Sequence, residues 1–332
     1  MPQALAAILE KLQSSDKDFR YMATSDLLAE LQKDTFKLDP ESERQLCPAV
    51  LRQLEDQSGD VSSLAVKCLG PLVRRAAPAR VAEILSGLCD RLLGAAAKGD
   101  ARDVGSLGLK TVVLDLPAGS GAARGVCAQL GPALVGYLTS ANAKPEVMAE
   151  ALDVLGELLS KFGSLMGEQH GALCAALAAE LESRRPAIRK RAITCLASLA
   201  PVLSDALLGG VCEGVVGKLG AAGLAAEGAR TLVQTAGALA RAAGHRFGPH
   251  LAAAVPLVSK RAEGSGEDDE LHEYSLQALE ACVLRCPGEV APFLGGVVGL
   301  ALRSISHDPN YVDDDEEGDA MEEDEDEEEE EE

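Results

Sequence analysis

Apolar residues in this chain return every three or four positions over stretches several turns long, and Gly, Pro and polar residues separate the stretches. Between Asp60 and Val73, the residues Val61, Leu64, Ala65, Cys68, Leu69 and Leu72 fall on one stripe of an α-helix. Ser58 to Asp60, just before it, are of the acidic and small types that cap free helical amides. The same design recurs as DFRYMATSDLLAEL, DVSSLAVKCLGPLV, DVGSLGLKTVVLDL, EVMAEALDVLGELL, AIRKRAITCLASLA, EGARTLVQTAGALA and ELHEYSLQALEACV. The second residues of these segments are Phe19, Val61, Val104, Val147, Ile188, Gly228 and Leu271, spaced 42, 43, 43, 41, 40 and 43 apart. The sixth copy is the weakest match.

A second helical pattern precedes each copy: ALAAILEKL, ERQLCPAVLRQL, RVAEILSGLCDRLL, GVCAQLGPALVGYL, EQHGALCAALAAEL, ALLGGVCEGVVGKL and LAAAVPLVSKRA. Each unit is therefore helix A, a turn and helix B, and a period of about 40–47 residues with two helices per unit is that of HEAT-type repeats. One such hairpin cannot bury its own stripe, so neighbours must stack into a continuous core. The expected fold is all-α: a HEAT/armadillo-like α-solenoid of about seven and a half repeats over residues 1–306, with A helices on one face and B helices on the other. Linkers are short (KLDPES, LPAGSG, EGSGEDD), and no internal domain boundary stands out. Gly105, Gly108 and Gly156 lie inside B helices, where each costs about 1 kcal/mol against Ala, so soft repeats are expected.

An eighth helix A, EVAPFLGGVVGLALRSI, carries Leu294, Val297, Val298 and Leu302, and an acidic run stands where its helix B belongs. The expectation is a solenoid interrupted at a disordered segment, residues 307–332. Of the 20 residues from Asp313 to Glu332, 17 are Asp or Glu. The remaining chain holds 36 acidic against 31 basic residues, so it carries about −5 of the formal −22. Such a run is too polar and self-repelling to pack. It reads either as a solvating loop or as a competitor for a basic surface, on a partner or on its own solenoid.

Nine scattered cysteines among aliphatic residues argue for reduced, buried thiols, hence the cytoplasm or nucleus. The N-terminus lacks the basic region of a secretory signal. The longest clean apolar stretch, APFLGGVVGLAL, is shorter than the roughly 20 residues a bilayer requires, so no membrane is expected. No phosphate loop, HExxH or GxSxG motif occurs, so neither an enzyme, a cofactor nor a small-molecule substrate is expected. A mildly acidic body without a basic, aromatic-interleaved stripe disfavours nucleic acid. Cys282 and Cys286 lack two further ligands at suitable spacing and read as core, while His245 and His250 are split by a Gly-Pro break, so no metal is expected.

Two clusters are candidates for partner binding. Lys17, Arg20 and Tyr21 open the first B helix, where an exposed aromatic beside an Arg makes an interface anchor. The alternative is a half-core Tyr21 with solvating charges. Arg184, Arg185, Arg189, Lys190 and Arg191 open the fifth B helix, with Arg185 and Arg189 one turn apart. They read as a docking patch for an acidic surface or as solvated charge.

The blocks SSDKDFRYMATSDLLAELQKD, LAVKCLGPLV, GLKTVV, RRPAIRKRAI, QALEACVLRCP and HDPNY, in this order, resemble the N-terminal HEAT repeats of the cullin-associated, neddylation-dissociated family, also described as TATA-binding-protein-interacting proteins. Residues 117–145 and 200–226 depart from that pattern. The resemblance implies a non-catalytic scaffold that embraces the cullin C-terminal domain and its RING subunit in the unmodified state and shields the lysine that accepts the ubiquitin-like modifier. It implies a role in assembly and exchange of cullin-RING (SCF-type) ubiquitin ligases, in cytoplasm and nucleus, with the TATA-binding protein as a further partner. In the family an acidic insertion follows a DPNY segment, and the adaptor-displacing repeats lie beyond it. The competing reading is a generic HEAT scaffold of the phosphatase or nuclear-transport-adaptor type, which shares the period but not the first block.

Overall fold

Residues 3–306, apart from Ala96, Lys98 and Glu267, are described by a computed structural model, and among them every regular element is helical. Seven hairpins follow one another. They are α1 (Gln3–Lys11) with α2 (Lys17–Gln32), α3 (Pro40–Gln53) with α4 (Gly59–Val73), and α5 (Pro78–Leu93) with α6 (Gly99–Asp115). Then come α7 (Gly121–Leu138) with α8 (Pro145–Phe162), α9 (His170–Glu180) with α10 (Pro186–Leu199), α11 (Asp205–Leu219) with α12 (Ala226–Ala243), and α13 (Leu251–Glu263) with α14 (Asp269–Arg285). A short helix, α15 (Pro287–Val290), leads through one 3₁₀ turn into α16 (Leu294–Ser306).

Local chemistry sets the helix starts. Side chains of Asp16, Asp39, Ser120, Ser204 and Asp268 accept backbone N–H bonds from the first turns of α2, α3, α7, α11 and α14, satisfying amides that have no partner inside the helix. Proline at the start of α3, α5, α8 and α10 presets the backbone where no N–H is needed. Ser58 is the N-cap of α4, as expected, yet its hydroxyl makes no capping bond.

The hairpins stack in register. Even-numbered helices α2 through α14 pack in an unbroken series, and α1, α3, α5, α7, α9, α11, α13 and α16 form the second row. Between the rows runs one core that includes Leu27, Leu69, Leu88, Phe162 and Phe247, all fully buried. The predicted stripe of α4 is buried at Val61, Ala65, Cys68, Leu69 and Leu72, with Leu64 half-buried. Phe19 departs from its counterparts, being 51% exposed where Val61 is sealed. Val61 is sandwiched between neighbouring B helices, whereas α2 is the outermost B helix among the described residues and has such a neighbour on one side only.

The helical glycines differ in their surroundings. A Cβ on Gly105 would lie 2.9 Å from Leu92 N and 3.0 Å from Leu88 O, so this glycine lets α6 ride close on α5. Gly237 does the same between α12 and α14, where a Cβ would stand 2.9 Å from Ala278 Cα. Gly156 has only Cys195 Sγ at 3.7 Å and no such role. The opposite condition holds between α9 and α11, where Cys174, Ala178, Leu207, Gly210 and Gly214 line an open apolar groove of ≈ 280 Å³.

Along the ends of the A helices, basic side chains reach back one repeat. Arg91 bonds Leu51 O and Glu55, Lys218 pairs with Glu182, Arg261 bonds Leu219 O, and Arg303 pairs with Glu263. Cations there meet the negative ends of the preceding helices. One further correction concerns length. The helical run Pro287–Ile305 is 19 residues, long and apolar enough to cross a membrane by that measure, because the helix continues through the 3₁₀ turn beyond the apolar core of the segment. In the fold it serves as the eighth A helix, seated on α13 through buried Val290 and Leu300, with Leu294, Val298, Leu302 and Ile305 exposed. The acidic segment expected to be disordered, residues 307–332, lies outside the described residues.

Candidate partner-binding surface

The first candidate cluster splits on inspection. Arg20 is engaged within the chain. Its Nε and Nη2 donate to Asp56 at 2.6 and 2.9 Å, and its Nη1 donates to the carbonyls of Ser14 and Ser15, each at 2.9 Å. The Asp56 side chain is 6% exposed. The bidentate bond from Arg20 holds the Asp56 carboxyl below the usual carboxylate range, and the same bond raises the Arg20 guanidinium. Arg20 therefore ties the turn of the first repeat to that of the second.

Tyr21 stands outside the core at 46% exposure, and Lys17 is exposed beside it. Two residues that were not singled out join them, Phe19 and Met22 at 51% and 57%. The buried set of α2 is Ala23, Thr24, Leu27 and Leu31. Positions 21 and 22 thus lie off the buried stripe, where large apolar side chains have no structural use within the hairpin, while Phe19 stands at the stripe position that a further B helix would cover. That mismatch between residue type and stripe was available in the sequence. Along the same B row, α6 exposes Leu107 and Leu114. Exposed apolar residues in a group, fixed on a rigid helix, are the usual mark of an interaction site.

The second cluster also divides. Arg185 is the N-cap of α10, with φ −98° and ψ 117°, and its carbonyl accepts from Arg189 N at 3.2 Å, one turn on. Arg189 donates to Ser183 O at 2.9 Å and lies 3.6 Å from Glu227, with its side chain 12% exposed. Arg191 bonds Asp153 at 2.7 Å. Arg184, Arg185 and Lys190 remain exposed. The two clusters are not brought together, since α4, α6 and α8 separate α2 from α10 in the stack.

The paired cations follow one rule that residue-by-residue reading missed. Arg20 reaches Asp56, Arg102 reaches Glu146, Arg189 reaches Glu227 and Arg230 reaches Asp268. Each runs from the start of one B helix to the turn or first residues of the next. Asp268 shows the balance: burial pushes its carboxyl up, but the Arg230 bond and the Leu271 N–H outweigh it and the net shift is downward. Separations of 36 to 44 residues, close to one period, were the signal.

The cysteines and histidines are held within the fold. Burial pushes the thiols of Cys47, Cys68, Cys195, Cys212 and Cys282 up to about 12. Cys286 Sγ donates to Gly244 O, and Cys282 is buried, which places both in the core. His245 and His250 lie in the 3₁₀ stretch Gly244–His250, the latter against the Phe247 ring. Among the described residues no group of three His, Cys, Asp or Glu side chains is placed to hold a metal.

No family model matches the chain. Its sequence is 42% identical over 316 residues to cullin-associated NEDD8-dissociated protein 1 of Arabidopsis thaliana, covering 94% of this chain and 26% of that protein. Cullin-associated NEDD8-dissociated protein 2 of Mus musculus is 43% identical over 321 residues, 94% of this chain and 25% of its own length. A shorter relative from Emericella nidulans, described as the N-terminal part of cullin-associated NEDD8-dissociated protein 1, is 28% identical over 77% of this chain and 83% of its own length. The chain thus spans about a quarter of the length of the first two relatives. Among solved structures, yeast Kap95p bound to RanGDP superposes with a TM-score of 0.63 at 13% identity over 92% of this chain. Importin beta gives 0.59 at 16%. These neighbours share the solenoid fold, and the resemblance read from the sequence blocks holds across nearly the whole chain.

Proposed function

We propose that this chain, a relative of the cullin-associated NEDD8-dissociated proteins over 94% of its length, is a non-catalytic HEAT-repeat scaffold that binds the unmodified cullin-RING core. In this reading its B-helix row approaches the cullin C-terminal domain and RING subunit and shields the lysine that takes the modifier. The observation that carries it is the exposed set Phe19, Tyr21 and Met22, in the block with the most specific family resemblance. Arg20 and Asp56 hold that helix in place, so the apolar side chains are presented with little ordering left to occur on binding. Action in cytoplasm and nucleus, and the TATA-binding protein as a further partner, belong to the same proposal.

Capture of purified cullin-RING core, with and without its modifier, tests the reading. The expected result is preferential capture of the unmodified form, weakened at least tenfold (about 1.4 kcal/mol) by the double substitution Tyr21→Ala and Met22→Ala. Equal capture of both forms, or none, overturns it. The generic HEAT-scaffold alternative draws on the importin-type neighbours, whose likeness is one of fold.

A further inference from the structure

Where α13 gives way to α14 the chain turns through Gly264, Ser265 and Gly266, the last with φ 58°, a backbone region that suits glycine. Ser265 is half-buried there, between two exposed glycines. Its hydroxyl donates to Ala262 O at 2.8 Å and lies 3.3 Å from His272 Nδ1. The same ring nitrogen stands 3.2 Å from Ala262 O, which can only accept, so Nδ1 carries a hydrogen. The other side of the ring meets α16, with Nε2 2.8 Å from Ser304 Oγ. Ser265, His272, Arg303 and Ser304 line one cavity of ≈ 530 Å³, with Glu263 and Asp269 among its other walls.

The sequence marks the same serine. Of all Ser and Thr residues in the chain, only Ser15 and Ser265 have an acid three positions on. At Ser15 that acid, Asp18, stands between Lys17 and Arg20, whereas Asp268, Asp269 and Glu270 follow Ser265 without a cation among them. Protein kinases select substrates by such charge patterns, and a kinase with a basic substrate groove reads this one. We propose that Ser265 is a phosphorylation site for an acid-directed serine kinase, and that its phosphate fastens α16 to the α13–α14 turn through His272 and Arg303. In the transfer, Ser265 Oγ bonds to the γ-phosphorus of ATP, the bond to the β,γ-bridging oxygen breaks, ADP leaves and the hydroxyl proton passes to the kinase.

Phosphoserine carries about −1.5 to −2 charges at pH 7 and three acceptor oxygens. On Ser265 it takes the Nδ1 hydrogen of His272 and competes with Glu263 for Arg303. The Arg303–Glu263 pair is a surface one, with side chains 62% and 57% exposed, so a dianion displaces the carboxylate readily. Glu263 and Asp269 are the carboxylates that oppose the phosphate in the cavity, and both are exposed and free to turn to water. Asp268 is already answered by Arg230. Among the described side chains of α16 only Leu300 is buried, so one further fastening near its end changes how firmly this helix is held.

Treating the intact chain with ATP, Mg²⁺ and a purified acid-directed serine kinase tests this without any cullin, and so apart from the scaffold reading. Trypsin separates Ser15, in residues 12–17, from Ser265, in residues 262–285, and fragment masses place the phosphate. The expected result is phosphate chiefly on Ser265, reduced several-fold in the Asp269→Asn, Glu270→Gln variant and absent from that peptide in Ser265→Ala. Amide exchange over residues 294–305 should slow several-fold on phosphorylation, and Arg303→Ala should abolish the slowing while Ser265 is still phosphorylated. The proposal is overturned by a folded chain that takes no phosphate on Ser265 or takes it chiefly on Ser15. Exchange in α16 that is unchanged or faster on phosphorylation, or slowing that survives Arg303→Ala, overturns it equally.

Discussion

Replacing Gly237 with alanine is the sharpest test of how the B row is packed. The new methyl carbon would meet Ala278 Cα at 2.9 Å and Ala278 Cβ at 3.0 Å. Carbon atoms prefer about 3.5–4.0 Å, so α12 and α14 must separate by about 0.5–1 Å or tilt. Overpacking of this kind costs about 1–3 kcal/mol. Alanine also returns up to about 1 kcal/mol of helix propensity. Gly214→Ala in α11 supplies the control, because a Cβ there has nothing within 4 Å and receives the propensity alone. Subtracting one variant from the other cancels that shared gain, leaving an expected gap of about 1–3 kcal/mol, with Gly214→Ala the more stable. Urea unfolding followed by circular dichroism measures the gap. Amide exchange over residues 226–285 locates it, which matters because a repeat array need not unfold as one unit. Equal stability of the two variants would refute the close approach of α12 and α14.

Other expectations follow from the same contacts. Asp56 and Asp268 have carboxyls held below their usual range, so their contribution to stability is complete above about pH 4 and is lost as pH falls through the lower, folded-state values. The urea midpoint should therefore drop on acidification below that point, and Asp56→Asn should flatten the drop. Leu88→Ala, which empties a fully buried site facing Gly108, should cost about 2–5 kcal/mol in the same assay. The buried thiols, raised to about 12 in Cys47, Cys68, Cys195, Cys212 and Cys282, should resist iodoacetamide in the native chain at pH 8 and react in denaturant, as counted by intact mass.

How much the sequence disclosed depends on the distance over which each feature is encoded. The hairpin and its period are written within a few helical turns, and Val61, Ala65, Cys68 and Leu69 sit where the stripe placed them. The Arg20–Asp56 pair was not legible, because Asp56 is 36 residues away and becomes a neighbour only once two repeats are stacked. The pairing of Arg189 and Arg191 across the stack with Glu227 and Asp153 was hidden for the same reason. Met22 was legible as a large residue off the buried stripe. Gly105 and Gly237 were not, since their role depends on a helix separation that composition does not specify.

Helices within the two rows approach one another to different degrees. B helices touch closely enough that α12 and α14 leave no room for a methyl group, while α9 and α11 stand either side of an open apolar groove of ≈ 280 Å³ bridged at the surface by the Lys218–Glu182 pair. Bending about an axis along the B row would open or close that groove without breaking any backbone hydrogen bond of the helices. Repeats five and six thus hold a groove that a change in the curvature of this chain would widen or narrow.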